Sequence, residues 1–269
     1  MIVEVNSVRF YIEILGEGTP LVLLHGFTGD TTTWEYFCDG WSQHSRLVIV
    51  DLIGHGKTES PEQPERYQME AAVFDLSSLL QLLKIDKADI LGYSMGGRLA
   101  LSFAVAYPEL VRTLILESAS PGIPTEAERM NRQEKDRNLA SFLIDKGINE
   151  FVDYWEKIPL FQSHQNLAPL VKTRMKRQRL ANSITGLANS LIGMGTGSQP
   201  SRWEELENIQ CEVLLITGEW DKKFCGIAEE MQKRLNYSTW TMVKDCGHTI
   251  HVEQAGKFAT IVSRFLSNT

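Results

Sequence analysis

Several patterns that would define a functional class are absent from this sequence. It has only four cysteines, at positions 38, 211, 225 and 246, with no Cys-x-x-Cys pair and no zinc-ligand spacing. We therefore expect reduced thiols, a cytoplasmic location and no metal site. The net charge of −7 argues against a nucleic-acid partner, because proteins that bind nucleic acids commonly carry an excess of Lys and Arg.

The sequence also lacks long hydrophobic runs and the features of a signal peptide. No apolar stretch approaches the roughly 20 residues of a membrane-spanning helix. The first ten residues alternate between apolar and polar side chains, which is typical of a strand, and they contain no basic region followed by an apolar one. We expect a protein without a membrane span, and the sequence does not indicate an oligomeric state.

What the sequence does contain is an alternation of strand-like and helix-like segments. Runs typical of strands cover residues 2–5, 8–15, 21–24, 46–51, 90–91, 111–117, 213–217 and 240–243. Apolar residues at helical spacing cover 70–83 and 253–266, and an alanine-rich helical segment covers 99–107. This alternation predicts an α/β fold with a mostly parallel, doubly wound sheet and ligand chemistry at the carboxyl ends of its strands.

The strand pattern stops between about residues 122 and 200. Helical spacing continues through this segment, but no strand-like run appears until residue 213. We interpret the segment as a helical insertion that forms a lid over the sheet. The chain would then be a single domain whose core consists of residues 1–121 and 201–269.

The pattern Gly92-x-Ser94-x-Gly96 lies directly after a strand-like run and directly before the alanine-rich helical segment. In such a turn the middle residue has strained backbone, so the residues two before and two after it must be glycine to avoid clashes. The Ser94 hydroxyl would lie above a helix N-terminus, whose free N–H groups stabilise negative charge. The pattern therefore predicts a nucleophile elbow.

A nucleophilic serine needs an imidazole to take its proton and a carboxylate to orient that imidazole. His248 has the best setting, in a Gly-His turn after the last strand, and Asp221 follows the preceding strand, which gives the chain order Ser, Asp, His. Glu117, at the end of another strand, is the alternative acid, although a buried structural role suits it better. The other histidines are expected to shape loops (His25, His55), to lie on the surface (His44, His164) or to start the closing helix (His251).

Negative charge that develops on an oxygen needs two N–H donors directed at one point. The backbone of Met95, directly after Ser94, supplies one donor at the helix N-terminus. The backbone of Phe27, in the loop that follows an early strand, is placed to supply the other. The sequence therefore predicts Phe27 and Met95 as oxyanion donors.

These motifs as a set resemble the α/β-hydrolase superfamily over the whole chain. The residues that carry the resemblance are His25-Gly-Phe27, Asp51-x-x-Gly-His55-Gly, Gly92-Tyr-Ser-Met-Gly96, Gly218-x-x-Asp221 and Gly247-His248. The resemblance implies an α/β-hydrolase fold. It does not imply a reaction, because this fold supports many reactions.

The charge distribution narrows the class of substrate. Residues 122–200 contain eleven Lys or Arg and eight Asp or Glu, in a chain whose net charge is −7. A basic lid on an acidic body predicts a small anionic substrate with several carboxylates, which arginine binds bidentately. Most of the cations between residues 172 and 179 are interpreted as solvent exposed, whereas Arg98, one helical turn after Ser94, has no evident packing role.

Longer motifs are similar to the 2-succinyl-6-hydroxy-2,4-cyclohexadiene-1-carboxylate synthase family of menaquinone (vitamin K2) biosynthesis. They are Gly92-Tyr-Ser-Met-Gly-Gly-Arg98, Leu116-Glu-Ser-Ala-Ser-Pro-Gly122, Glu128-Arg129-x-x-Arg132 and Trp155 before Pro159-Leu-Phe161. The resemblance implies a lyase that eliminates pyruvate from 2-succinyl-5-enolpyruvyl-6-hydroxy-3-cyclohexene-1-carboxylate without a cofactor. It also implies that Tyr93, Arg98, Arg132, Trp155 and Arg179 bind the substrate, although Lys176 or Arg177 could align in place of Arg179.

The predicted residues suit such an elimination. A proton must leave a carbon conjugated to a carbonyl, and Ser94, polarised by His248, can act as the base while two N–H groups hold the oxyanion. The alternative is a serine hydrolase that acts on esters or on carbon–carbon bonds of anionic ring-fission products. A non-catalytic binding protein is a third hypothesis, which the complete set of Ser, Asp and His disfavours.

Overall fold

The computed structural model describes residues 1–269, and one eight-stranded sheet forms its centre. The strands are β1 (Ile2–Val5), β2 (Val8–Leu15), β3 (Thr19–Leu24), β4 (Ser45–Val50), β5 (Ala88–Tyr93), β6 (Val111–Glu117), β7 (Glu212–Gly218) and β8 (Ser238–Val243). They lie in the order β1-β2-β4-β3-β5-β6-β7-β8. β1 and β2 are antiparallel to their neighbours, and the remaining strands are parallel, which confirms the predicted α/β sheet.

The helices are α1 (Glu35–Trp41), α2 (Met69–Leu82), α3 (Met95–Ala106), α4 (Glu126–Trp155), α5 (Pro169–Leu180), α6 (Ile184–Gly193), α7 (Lys222–Arg234), α8 (Ile250–Glu253) and α9 (Ala255–Asn268). The closing helix predicted over 253–266 is wrong at its start, because the backbone leaves the helical region at Gln254 and separates α8 from α9. α4 is interrupted at Gly147, whose φ of 80° is not helical. No helix is both long and apolar enough to span a bilayer.

Helices α1 and α7 were not predicted. α1 has only seven residues and includes Gly40, so its sequence carries little helical signal. α7 buries Cys225, Ala228 and Met231, three residues at a spacing of three, and this periodicity was present in the sequence.

Both faces of the sheet are covered, which explains why its central strands are apolar throughout. One face contributes to a cluster of 38 buried hydrophobic residues that includes side chains of α2 and α3. A second cluster of 17 contains an aromatic group in which Trp34, Phe37 and Trp41 meet Phe258 of α9. Burying each such side chain stabilises the fold by about 2–3 kcal/mol.

Residues 122–200, which we call the helical insertion, contain α4, α5 and α6 and lie between β6 and β7. A separate cluster of seven buried hydrophobic residues joins α4 to α6, and Leu180 of α5, Phe27 and Trp155 pack against it. α6 approaches the loop after β4 so closely that a Cβ atom on Gly186 would lie 2.0 Å from the carbonyl oxygen of Gly54. The insertion is therefore fixed to the sheet through α6.

The register of the parallel strands brings their carboxyl ends to one edge. Gly92 lies beside Leu116, and Gly218 lies beside Val243. The residues that follow β5, β7 and β8 consequently meet at this edge, which is where the predicted site residues belong.

Candidate active site

Ser94 occupies a strained turn between β5 and α3, with φ 50° and ψ −104°. The two flanking glycines allow this turn. A Cβ atom on Gly92 would lie 2.4 Å from the carbonyl oxygen of Gly96, and one on Gly96 would lie 2.3 Å from that of Leu24. The Ser94 N–H donates to the carbonyl oxygen of Glu117 at 2.8 Å, so the strained strand–turn–helix predicted from the sequence is present.

His248 connects Ser94 with Asp221. Its Nε2 lies 3.0 Å from Ser94 Oγ, and its Nδ1 lies 2.6 Å from Asp221 Oδ2. Because the Asp221 carboxylate accepts hydrogen bonds, Nδ1 carries the proton and Nε2 is free to accept the proton of Ser94. The structure thus joins the three predicted residues in one hydrogen-bonded chain.

Glu117, the alternative acid, is bonded to a different imidazole. Its carboxylate accepts a hydrogen bond from the backbone N–H of His251 at 2.9 Å and lies 2.8 Å from Nδ1 of the same residue. Glu117 is fully buried and makes no hydrogen bond to His248. The geometry therefore leaves Asp221 as the acid that orients His248.

Phe27 and Met95 line the same cavity as Ser94. Met95 is the first residue of α3, and neither its N–H nor that of Phe27 donates to an acceptor in the protein. Free N–H groups at such positions can stabilise negative charge on a ligand oxygen.

Two buried histidines shape the loops beside this cavity. His25 places Nδ1 2.8 Å from the carbonyl oxygen of Gly26, and its Nε2 accepts from the N–H of Leu52 at 3.0 Å. Burial lowers the pKa of His25, and burial lowers the pKa of His55 to about 3. Both imidazoles are therefore neutral at pH 7, which agrees with the loop-shaping role expected for them.

The cavity beside Ser94 has a volume of about 150 Å³. Its wall combines aromatic side chains with cations, and none of the residues that line it is acidic. The aromatic members are Phe27, Tyr93, Trp155, Phe161 and Phe224, and the cations are Arg98, Arg132 and Lys223. Such a wall can hold an apolar ring that carries carboxylates.

Arg98 lies in the wall of this cavity as a buried cation. Its Nη1 donates to the carbonyl oxygen of Met194 at 2.8 Å and to Oε1 of Gln199 at 2.7 Å. It forms no ion pair with a carboxylate of the protein, and burial, followed by the charge of Arg132, lowers its pKa to about 10. A bound carboxylate would supply the missing counter-charge.

The other two cations of the cavity differ in their partners. Arg132 donates from Nε to Asp136 Oδ1 at 2.8 Å, one helical turn along α4. Lys223 forms no ion pair, and desolvation together with repulsion from Arg132 lowers its pKa. Sequence analysis missed Lys223, although its position two residues after Asp221 was a usable signal.

Tyr93 and Trp155 both line the cavity, as their predicted roles require. The Tyr93 hydroxyl lies 3.0 Å from Thr249 Oγ1, and burial raises the pKa of this tyrosine. The ring of Trp155 stacks on Phe151, and its Nε1 has no hydrogen-bond partner in the protein. Trp155 therefore has a free donor beside the cavity.

Arg179 does not line the Ser94 cavity. Its guanidinium donates to Glu156 Oε1 at 2.9 Å and lies 5.3 Å from the centre of the Phe161 ring. It lines a smaller adjoining cavity of about 50 Å³ that shares Phe27, Tyr93 and Phe161 with the first. Of the two residues that could align in its place, Lys176 pairs with Asp153 at the surface and Arg177 is exposed.

The expectation that His164 lies on the surface is wrong, whereas His44 is exposed as predicted. His164 is 9% exposed, stacks on Phe161 and places Nε2 3.0 Å from Thr249 Oγ1. Its segment of the insertion turns inward against the loop that carries His248, and burial lowers the pKa of His164 to about 3.

Glu253 holds the backbone on both sides of His248. Its carboxylate accepts hydrogen bonds from the N–H of Gly247 at 2.7 Å and from the N–H of Thr249 at 3.2 Å. Sequence analysis did not single out this residue, because its role depends on how the short helix α8 folds back on the loop.

The four cysteines are unpaired, as predicted. Burial raises the pKa of the Cys246 thiol to about 12 and that of Cys211 to about 11, so neither forms a thiolate at pH 7. No group of three or more His, Cys, Asp or Glu side chains is arranged to hold a metal ion.

Comparison with known proteins places this geometry in a family. A family model described as the α/β hydrolase fold matches residues 19–255. A Bacillus subtilis (strain 168) protein, named provisionally as a 2-succinyl-6-hydroxy-2,4-cyclohexadiene-1-carboxylate synthase, is 50% identical over 98% of this chain and 96% of its own length. A protein of Photorhabdus laumondii with the same name is 32% identical over 92% of this chain and 85% of its own length.

A solved structure agrees with these relatives. The structure of MenH from S. aureus superposes on this chain with a TM-score of 0.92 and 35% sequence identity, over 96% of this chain and 98% of that one. The longer motifs around Ser94, Arg132 and Trp155 had indicated the same group of enzymes. The chain therefore belongs to the α/β-hydrolase family and, within it, to the 2-succinyl-6-hydroxy-2,4-cyclohexadiene-1-carboxylate synthases.

Proposed function

We propose that this protein eliminates pyruvate from 2-succinyl-5-enolpyruvyl-6-hydroxy-3-cyclohexene-1-carboxylate to give 2-succinyl-6-hydroxy-2,4-cyclohexadiene-1-carboxylate. The observation that carries the proposal is the Ser94–His248–Asp221 chain at a cavity lined by three cations and no acid. A base for proton removal and several sites for carboxylates are what this reaction needs. The relatives named for the same product support it.

In the proposed mechanism Ser94 is the base. Its oxygen takes the proton from the saturated ring carbon next to the succinyl carbonyl, while its own proton passes to Nε2 of His248. Asp221 stabilises the imidazolium that forms. The electron pair of the broken C–H bond moves onto the carbonyl oxygen, which accepts hydrogen bonds from the N–H groups of Phe27 and Met95.

When this oxyanion collapses, the carbonyl re-forms and a ring double bond forms between C2 and C3. The existing C3=C4 double bond shifts to C4=C5, and the bond between C5 and the oxygen of the enolpyruvyl group breaks. The leaving group takes the proton held by His248 and ends as pyruvate, so His248 returns to its neutral form. No water enters the products, and no acyl-enzyme forms. A protein with a hydrolase fold would thus catalyse a lyase reaction.

The cations of the cavity bind the anionic substrate in this proposal. Arg98 and Lys223, which have no acidic partner, and Arg132, which has one, each face a substrate carboxylate. Tyr93 and Trp155 pack against the ring. Arg179 contacts a substituent that extends into the adjoining cavity.

We propose that the helical insertion, residues 122–200, acts as the lid of this site. Trp155 and Phe161 belong to the insertion and line the Ser94 cavity. A cover of this kind keeps water from the oxyanion and favours elimination over hydrolysis.

A kinetic isotope measurement tests the proposal against the hydrolase alternative. With deuterium at the abstracted position, proton removal by Ser94 should give a primary isotope effect on pyruvate release, and solvent ¹⁸O should not enter the products. p-Nitrophenyl esters should turn over slowly at most. A rapid burst on such esters, with no pyruvate from the intermediate, would establish hydrolysis through an acyl-enzyme instead.

A further inference from the structure

Ser118, the first residue after β6, has an unusual combination of properties. Its φ is 48°, in the left-handed region that residues with a Cβ atom rarely occupy. It is fully buried, and its hydroxyl oxygen has no hydrogen-bond partner in the protein. Only its backbone is engaged, through an N–H that donates to the carbonyl oxygen of Ile216 at 2.9 Å.

The positive φ and the unpaired buried hydroxyl of Ser118 both lower the stability of the fold, and a glycine at this position would avoid both effects. Glycine adopts positive φ without steric strain, and it has no hydroxyl to leave unpaired in a buried position. The side chain of Ser118 therefore contributes nothing favourable to the fold that the structure shows. Strain and unpaired polar groups that persist at such a cost are characteristic of functional sites.

The location of Ser118 indicates what its hydroxyl does. Tyr93 and Glu117 are paired on the adjacent strands β5 and β6, and Ser94 and Ser118 are the residues that follow them. Both serines line the same cavity as the three cations. Ser118, whose hydroxyl has no partner in the protein, therefore belongs to the wall of the site, one strand away from the proposed base.

We propose that Ser118 is a substrate-binding residue whose hydroxyl donates a hydrogen bond to a carbonyl or carboxylate oxygen of the ligand in the Ser94 cavity. A neutral donor suits this position because the cations of the cavity already supply positive charge. The identity of the full substrate rests on the proposed function, but the ligand class, an oxygen acceptor on an apolar ring, rests on the cavity itself.

Two variants separate binding from structure. Ser118→Ala removes the hydroxyl and keeps the Cβ atom, and Ser118→Gly removes both the hydroxyl and the strain. We expect kcat/KM for pyruvate release to fall about tenfold in both, as the loss of one hydrogen bond predicts. The thermal midpoint of Ser118→Gly should equal or exceed that of the unchanged protein.

Ser102 offers a matched control. It lies on α3, is fully buried and also has a hydroxyl without a partner, but it does not line the cavity. Ser102→Ala should leave kcat/KM unchanged. Wild-type kcat/KM in both Ser118 variants would overturn the proposal, because the hydroxyl would then be dispensable.

A binding measurement keeps this test independent of the proposed function. 4-Oxo-4-phenylbutanoate has an aromatic ring with a side chain that begins with a ketone and ends in a carboxylate, and its Kd can be measured by calorimetry. We expect the Kd to rise about tenfold in both Ser118 variants and to stay unchanged in Ser102→Ala. If the unchanged protein released no pyruvate, the proposed function would be wrong. Equal Kd values in the unchanged protein and in all variants would disprove the binding role of Ser118.

Discussion

Glu117 and His251 form a buried pair beside the turn that holds Ser94, with 2.8 Å between Oε2 and Nδ1. His248, three residues earlier, has a separate partner in Asp221 at 2.6 Å. Each buried carboxylate thus has its own imidazole, and the two pairs differ in exposure to the cavity, because His248 lines it and His251 does not. This division of partners makes the assignment of the catalytic acid testable.

Replacing members of the hydrogen-bonded chain should abolish turnover without unfolding the protein. We expect Ser94→Ala, His248→Ala and Asp221→Asn each to lower kcat roughly 10³-fold or more, and the double variants to lose little further activity, because the three residues act as one unit. Steady-state assays of pyruvate release measure this. Glu117→Gln should lower the thermal midpoint and leave kcat nearly unchanged. If Glu117→Gln abolished turnover and Asp221→Asn did not, the acid would be misassigned.

Removing the cations of the cavity should weaken substrate binding to different extents. Arg98→Ala should cost about 2–5 kcal/mol of transition-state binding, because its guanidinium is buried, and Arg98→Lys should restore only part of this loss. Lys223→Met should raise KM by about fivefold, since an exposed ion pair contributes up to about 1 kcal/mol. Lys222, its exposed neighbour on α7, is the control, and an equal effect of Lys222→Met would show that the charge acts at long range.

Weakening the clamp on the histidine loop should affect catalysis more than substrate affinity. Glu253→Gln keeps one acceptor oxygen for the N–H groups of Gly247 and Thr249, and Glu253→Ala keeps none. We expect kcat to fall in Glu253→Gln and to fall further in Glu253→Ala, while KM stays within about twofold of its original value. The low-field proton signal of the His248–Asp221 hydrogen bond should broaden in both variants.

Glu219 provides the comparison for this clamp. It accepts from the N–H of Asp245 in the same loop, but it does not hold the peptide groups beside His248. Glu219→Gln should therefore leave kcat and the low-field signal unchanged. If Glu219→Gln and Glu253→Gln lowered kcat equally, catalysis would depend on the general stability of the loop and not on the hydrogen bonds beside His248.

Stability should decline on acidification from about pH 6.5. Burial lowers the pKa of His164 to about 3, so the docked insertion holds this imidazole in its neutral form, while the unfolded chain protonates it near its ordinary value of 6.5. The unfolded state then binds more protons between these values, and the free energy of unfolding falls by up to about 1.4 kcal/mol per pH unit for this group.

Thermal midpoints of His164→Gln between pH 7.5 and 5 test this linkage. Glutamine can keep a hydrogen bond to Thr249 without titrating, so the pH dependence should become flatter than in the unchanged protein. His44→Gln, at an exposed position, should leave the slope as it was. An unaltered slope in His164→Gln would mean that other groups, such as His25 and His55, carry the acid sensitivity.

The sequence predicted those parts of the site that depend on local geometry. The glycines around Ser94 specify a strained turn within five residues, and the rule that parallel strands end at one edge brings Asp221 and His248 to the same place. The alternation of strands and helices likewise predicted the α/β sheet. These signals need no knowledge of how distant segments pack.

Some residues have surroundings that the sequence did not predict, because those surroundings depend on contacts between distant segments. His164 meets Thr249 across 85 positions of the chain, and no local pattern marks a polar residue in a short turn as buried. The position of Arg179 depends on such contacts too. Its guanidinium donates to Glu156, and the residue lines the adjoining cavity and not the Ser94 cavity. Periodicity and motif spacing carry no information on such pairings.

The position of the helical insertion also determines the order in which the site can assemble during folding. β6 pairs with β7 only after residues 118–211 have closed into a loop, and closing so long a loop is slow. Asp221 and His248 follow β7 and β8, so they reach Ser94 after this step, whereas α2, α3 and the strands up to β6 can form before it. On refolding, catalytic activity should therefore return later than the helical signal in circular dichroism.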